Sequence, residues 1–274
     1  MGKYIDKVKR IPKRIYRKIE SDRYLKGKYV GKLNILSSEE TLNKLKEKNR
    51  CFCRFGDGEI AIMNGESIAF QDYNEQLGKK LKQIIQSDDE NLLVGINYFY
   101  LNPVNGVNQF TQGFLKSLQM QRRFLLNNCN KNRTYIDAAI TQVYQNYQEY
   151  DFDAHFMQMQ ELLKNQSITM ICGERILQDI EYNALDICKD VEFIYGPSKN
   201  AFDQYDELLQ RALMTDQDRI ICIVLGPTAK VLVYDLYKNG RIAWDLGHYL
   251  KDYDVYMKKR PRTDAEIAQF FKPD

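Results

Sequence analysis

The sequence predicts an α/β domain, a mostly parallel sheet flanked by helices, and three observations predict it. Short apolar runs alternate with helix-spaced segments through the second half, the pattern of βαβ units. No run approaches the roughly 18 apolar residues of a membrane-spanning helix. The 274 residues are 44% hydrophobic and 28% charged, an ordinary folded composition for one large domain or two small ones.

Residues 1–33 come first. They carry twelve Lys/Arg and three Asp/Glu, a net +9, which leaves −6 for the rest of a chain whose total is +3. Tyr4, Ile5, Val8, Ile11, Ile15, Tyr16 and Ile19 recur at helical spacing between the basic residues. Pro12 should kink or divide this helix. A basic amphipathic arm suits an anionic membrane surface or an acidic partner; it equally suits a helix docked on its own body. No apolar stretch of a secretory signal follows the basic start. The acidic body, without a recognisable motif, argues against nucleic acid.

Residues 34–274 then read as a single α/β domain. Ser37-Ser38-Glu39-Glu40 ahead of Leu42 and Leu45 marks an N-cap and a helix. A buried strand follows at 51–55, a short strand at 66–70, a helix at 75–85 and a strand at 91–96. An aromatic, turn-rich loop at 97–106 leads to a helix at 110–126 and a strand at 134–137. The second half alternates: helix 156–164, strand 167–172, helix 175–187, strand 191–195, helix 203–214, strand 219–225, helix 228–238 and a last strand at 242–245.

The six cysteines are scattered. Cys51 and Cys53 lie too close for a C-x-x-C site, and Cys172 and Cys222 sit in apolar runs. With two histidines in the chain, a zinc site is not expected. The thiols read as reduced and the compartment as cytoplasmic.

In a parallel sheet, ligands sit beyond the carboxyl ends of the strands. Five such ends carry glycine with polar neighbours. After 51–55 comes Gly56-Asp57-Gly58-Glu59. Two carboxylates in a glycine-rich turn suit a hard divalent cation with positions left for phosphate oxygens, although locally an ordinary Asp-Gly turn is the simpler reading. After 167–172 come Gly173-Glu174-Arg175, with Glu174 a candidate third acid. After 191–195 comes Gly196-Pro197-Ser198-Lys199-Asn200; Ser198 or Asn200 can cap a helix whose free N–H groups attract phosphate. Gly226-Pro227-Thr228 favours another helix start. Asp245, Gly247 and His248 close the set, and Asp245 with His248 can orient a hydroxyl or exchange a proton. Neither a G-x-x-x-x-G-K-[ST] loop nor a G-x-G-x-x-G fingerprint is present.

In this order the residues resemble the GT-D fold glycosyltransferases. Arg54-Phe55-Gly56-Asp57-Gly58-Glu59 is similar to their Asp-x-Glu motif. Pro197–Phe202, Leu225–Leu232 continuing through Tyr234-Asp235-Leu236, and Asp245-Leu246-Gly247-His248 match three more. The resemblance runs from about residue 36 to 257. It implies a Rossmann-like fold, a UDP-sugar donor carrying glucose or galactose, and Mn2+ or Mg2+. It also implies transfer to a bacterial surface glycan, glycolipid or glycoprotein. The enzyme would work on the cytoplasmic side, with residues 1–33 peripheral on the membrane or on a partner transferase. By the same likeness Asp57 and Glu59 hold the metal. Arg54, Phe55, Gly56, Gly58, Glu174, Pro197, Ser198, Lys199, Asn200, Gly226, Pro227 and Thr228 serve the donor. Asp245 and His248 face the sugar or the acceptor. Gln142 stands where many members carry an arginine. Two alternatives stay open: a non-catalytic partner of another transferase, and a nucleotide-sugar phosphohydrolase using the same carboxylates.

Overall fold

A computed structural model describes residues 13–260 and 262–271, so the part of the expected basic arm in residues 1–12 lies outside the described residues. Among these residues eight strands form one sheet: β1 (Asn34–Ile35), β2 (Cys51–Phe55), β3 (Leu92–Ile96), β4 (Thr134–Asp137), β5 (Ser167–Cys172), β6 (Asp190–Tyr195), β7 (Ile220–Val224) and β8 (Ala243–Asp245). Their order is β1-β4-β3-β2-β8-β7-β5-β6. Every pairing in the sheet is parallel. β2 and β3 are buried at every position. Strands covered on both faces have no solvent side, so they read as unbroken apolar runs.

The helices are α1 (Lys13–Leu25), α2 (Ser38–Leu45), α3 (Asp57–Met63), α4 (Glu75–Gln86), α5 (Gln109–Leu115) and α6 (Gln119–Asn128). After these come α7 (Val143–Asn146), α8 (Phe152–Leu163), α9 (Tyr205–Leu213), α10 (Gly226–Lys238), α11 (Tyr249–Lys258) and α12 (Asp264–Phe270). α10 packs on β2 and on α4, and Val231, Leu232 and Leu236 of α10 and Leu77, Leu81 and Ile84 of α4 are all buried. Ser37 closes a reciprocal cap with Glu40, as its spacing predicts.

Several expectations are corrected. Residues 66–70 form no strand; only an isolated bridge joins Ile68 to Gln71. The helix expected over 110–126 is divided into α5 and α6, because side chains take the carbonyls at the break. Ser117 Oγ donates to Phe114 O at 2.7 Å and Arg122 Nη2 to Leu115 O at 2.6 Å. Residues 175–187 form turns. Asp254 Oδ1 accepts from the N–H groups of Glu181 and Tyr182 at 2.9 and 3.0 Å, so tertiary acceptors replace the helical ones. Helices α3, α7, α11 and α12 and strand β1 were not anticipated.

The described part of the arm is docked rather than free. Tyr24 is buried; its hydroxyl donates to Phe99 O at 2.7 Å, and Arg122 lies 4.0 Å from its ring centroid. Ile15 and Ile19, expected on the apolar face, are instead 51% and 44% exposed. No helix among the described residues is long and apolar enough to cross a membrane.

Buried His155 locks the turn after β4. Its Nε2–H donates to Ile140 O at 2.7 Å, so Nδ1 accepts from Tyr150 OH at 3.1 Å. Both contacts use the neutral ring, and burial pushes its pKa down to about 4. The unfolded chain therefore binds the extra proton first, and stability falls as pH drops from about 6.5 toward 4, by up to about 1.4 kcal/mol per pH unit. Denaturant unfolding across that range should show this slope, reduced in His155→Gln; an unchanged slope would remove His155 as its source.

Candidate active site

Strands β2, β3, β4 and β1 lie on one side of the sheet's middle, and β8, β7, β5 and β6 on the other. From β2 the chain steps outward through β3 to β4; the other half starts at β5, steps outward to β6 and returns through β7 to β8, so the connections part between β5 and β7. The crevice outside the carboxyl ends of the strands is where open α/β sheets bind ligands. A cavity of about 470 Å³ lies there.

Nine expected residues line it: Arg54, Gly56, Asp57, Gly58, Glu59, Ser198, Gly226, Asp245 and His248. Gln142 lines it too. Phe55 is in the core, and Glu174 and Lys199 are exposed away from the cavity wall. Pro197 and Pro227 also lie off the wall. Asn200 and Thr228 act one step back. Asn200, at φ +54°, donates its N–H to Phe70 O at 2.9 Å and its Nδ2 to Asp72 Oδ2 at 2.8 Å. Thr228 Oγ1 reaches Gln71 Oε1 at 3.5 Å. Both fasten the 68–72 loop, whose Ile68, Phe70 and Gln71 line the cavity.

Asp57 and Glu59 lie in the first turn of α3, not in a free turn. Glu59 Oε2 accepts from Gly56 N at 2.8 Å, forming half of a capping box. Gly56 has an ordinary φ of −109°, so it is not the left-handed hinge that a glycine suggests. Gly226 and Gly247 are. At φ +50° a Cβ on Gly226 would meet Phe70 at 2.5 Å; at φ +46° a Cβ on Gly247 would fall 1.5 Å from Arg54 Nη2. Gly247→Ala should therefore dislodge Arg54 and cost about 2 kcal/mol or more. Chemical denaturation measures this, and a loss under about 0.5 kcal/mol would mean Arg54 can relocate freely.

Behind the cavity sits a buried charge network. Arg54 Nη2 meets Asp245 Oδ1 at 3.1 Å, while Arg54 N donates to Asp245 Oδ2 at 3.0 Å. Arg54 Nη1 donates to Ala138 O at 3.2 Å and to Thr141 Oγ1. Lys230 Nζ meets both Asp245 Oδ2 and Glu59 Oε1 at 3.1 Å and donates to Gly226 O at 3.0 Å. Burial opposes the Asp245 charge, but Arg54 and then Lys230 outweigh it and hold the carboxyl below its usual range. Lys230 is held above its usual range in spite of burial, by Asp245 and Glu59. Lys230 was missed in the sequence. The available signal was a lysine four residues after Gly226, inside an apolar helical run that had no solvent face to give it.

Asp57 differs from its neighbours: its side chain is exposed to the cavity. Desolvation in the crevice, then the Glu59 charge, push its carboxyl above the usual range. His248 stands at the start of α11, its ring 5.4 Å from Phe270 and 5.5 Å from Phe271. Burial, then the charges of Arg54, Lys251 and Lys230, hold its pKa at about 3, so the ring is neutral at physiological pH.

The fold and site define a parallel α/β protein with a carboxylate-bearing, glycine-edged crevice at the carboxyl ends of its strands. The chain belongs to the glycosyltransferase GT-D fold family, which matches residues 52–268. Similar proteins include a probable glycosyl transferase, Gly, of Streptococcus gordonii, 27% identical over 230 residues, covering 82% of this chain and 33% of that protein. Glycosyltransferase GlyD of Streptococcus pneumoniae is 26% identical over 238 residues, covering 86% and 29%. This chain thus spans about a third of the length of these curated relatives. A solved structure described as domain of unknown function 1792, with a distinct glycosyltransferase fold, aligns with TM-score 0.81 and 30% identity over 92% of this chain and 95% of that one. Another, described as a new glycosyltransferase from Streptococcus sanguinis, aligns with TM-score 0.77 and 25% identity over 88% and 95%.

Proposed function

We propose that the chain is a glycosyltransferase that moves a hexose, glucose or galactose, from a UDP-sugar to a bacterial surface glycan, glycolipid or glycoprotein. One observation carries the reading: Asp57 is the exposed carboxylate of the crevice, set between the glycine-bearing ends of β7 and β6 and a network that neutralises Glu59 and Asp245.

A divalent ion, Mn2+ or Mg2+, fits this site in a restricted way. Among the described residues no group of three or more His, Cys, Asp or Glu has metal-binding geometry. Glu59 already spends one oxygen on Lys230 and the other on Gly56 N. Asp57, whose carboxyl the Glu59 charge disfavours as an anion, is where a cation relieves local repulsion. Few protein ligands plus phosphate oxygens is the usual binding mode of such ions. Asp57, with Glu59 behind it, would hold the ion; when bound, it neutralises charge on the departing diphosphate.

The chain's own groups do the rest. Lys230 and Arg54 fix Glu59 and Asp245, leaving Asp245 both oxygens engaged and suited to positioning rather than proton abstraction. His248 is too weakly basic to hold a proton, so it serves as a neutral hydrogen-bonding partner for a sugar hydroxyl. Gly226 lets Phe70 pack close and Gly173 stands beside Ser198, so the two shape the donor side of the crevice along β7 and β5. Outside the crevice, exposed Ile15 and Ile19 beside Arg17 and Lys18 suit an anionic membrane surface or a partner transferase.

UDP release from UDP-glucose and UDP-galactose with Mn2+, with and without EDTA, tests the reading. Turnover that requires metal and rises with a glycan acceptor is expected. Metal-independent turnover would overturn the mechanism, and cleavage indifferent to every acceptor would favour the phosphohydrolase.

A further inference from the structure

We propose that the half of the cavity over β3 and β4, walled by α5, α7 and Phe271, is a saccharide subsite that takes a hexopyranose ring of the acceptor. The proposal rests on the transferase reading above and assigns the second substrate a place in the same crevice.

The wall is aromatic. Phe110 on α5 and Phe271 beyond α12 stack with centroids 6.5 Å apart and planes 10° apart. Phe271 also stands 5.5 Å from His248, edge to face. Phe114, one turn along α5, packs 6.3 Å from Tyr100. All three phenylalanines line the cavity and are half-buried, so each keeps ring surface open to it. A pyranose has an apolar C–H face that such rings cover well, with hydroxyls round its edge for a few placed polar groups.

One placed polar group is in waiting. Asn146, at the end of α7, lines the cavity and is 5% exposed. Its Nδ2 has no hydrogen-bond partner among the described residues. Its Oδ1 accepts weakly from buried Thr111 Oγ1, at 3.5 Å. Turning the amide over leaves the other atom unused, so one polar atom is orphaned either way. A buried unpaired donor is costly and calls for an explanation. A ligand hydroxyl entering this wall supplies one.

Topology places this half correctly for transfer. α5 follows β3 and α7 follows β4, on one side of Asp57; Gly226 and Ser198, the donor-side glycine ends, follow β7 and β6 on the other. Donor and acceptor sugars would then approach the β2 end from opposite sides. Phe271 lies just beyond residues 52–268, the part that the family model matches.

The test uses the full chain with UDP and Mg2+. Saturation-transfer NMR with methyl β-glucopyranoside, methyl β-galactopyranoside and methyl N-acetyl-β-glucosaminide as probes reads saccharide binding; calorimetry reads UDP. At least one probe should show saturation on one face of its ring. Asn146→Ala and Phe271→Ala should each weaken that probe about tenfold while UDP affinity stays within about twofold. Asn146→Asp, close in shape, should weaken it too, which separates the lost donor from a folding defect. UDP binding without any saccharide signal, or a signal unchanged in all three variants, would overturn the subsite. Failure of the wild type to bind UDP would instead overturn the transferase reading beneath it.

Discussion

Asp57→Ala should lower kcat/KM for UDP-sugar turnover by about 10²–10³-fold, the usual scale for losing one preorganised electrostatic group at developing charge. The fold should survive. Asp57 is exposed to the cavity and repelled by Glu59, so its removal should leave the thermal midpoint unchanged or slightly higher. UDP release and a thermal scan on the same preparation check both halves. Full activity in the variant would remove Asp57 from the reaction, and collapse of the fold would make it structural.

Lys230→Met should behave in the opposite way, losing stability first. The substitution keeps much of the side-chain volume but leaves the buried carboxylates of Glu59 and Asp245 short of their shared cation. Breaking a buried ion pair by removing one partner costs about 3–5 kcal/mol. Denaturant unfolding of the variant should show a loss of that order. Adding Glu59→Gln should recover part of it, because one of the stranded charges is then gone. A loss under about 1 kcal/mol for Lys230→Met would mean that water or a rearranged Arg54 replaces the lysine.

The parallel core was legible because its strands are buried on both faces. β2, β3, β5 and β7 are near-continuous apolar runs, and such runs can be little else between helical segments. What failed was local pattern overruled by tertiary contacts. Residues 175–187 have helical spacing, yet Asp254, more than seventy residues away, takes the N–H groups of Glu181 and Tyr182. α3 was hidden for the reverse reason: Asp-Gly-Glu looks like a turn until Glu59 is seen capping Gly56. The site was legible at its strand ends and not behind them. Asp57, Gly226 and Ser198 follow strands, and the sheet rule brings them together. Lys230 and Asn146 sit inside helices, and only the fold aims them at the crevice. Asn200 and Thr228, from the same motifs, fasten the 68–72 loop behind the cavity wall.

Calorimetric titration of UDP into the wild type and Asp57→Ala, each with Mn2+ and with EDTA, bears most directly on the central claim, a metal-assisted diphosphate site at Asp57. The account predicts binding by the wild type with Mn2+, and a loss of about tenfold or more both in EDTA and on substitution of Asp57. Equal UDP affinity in all four titrations would contradict it.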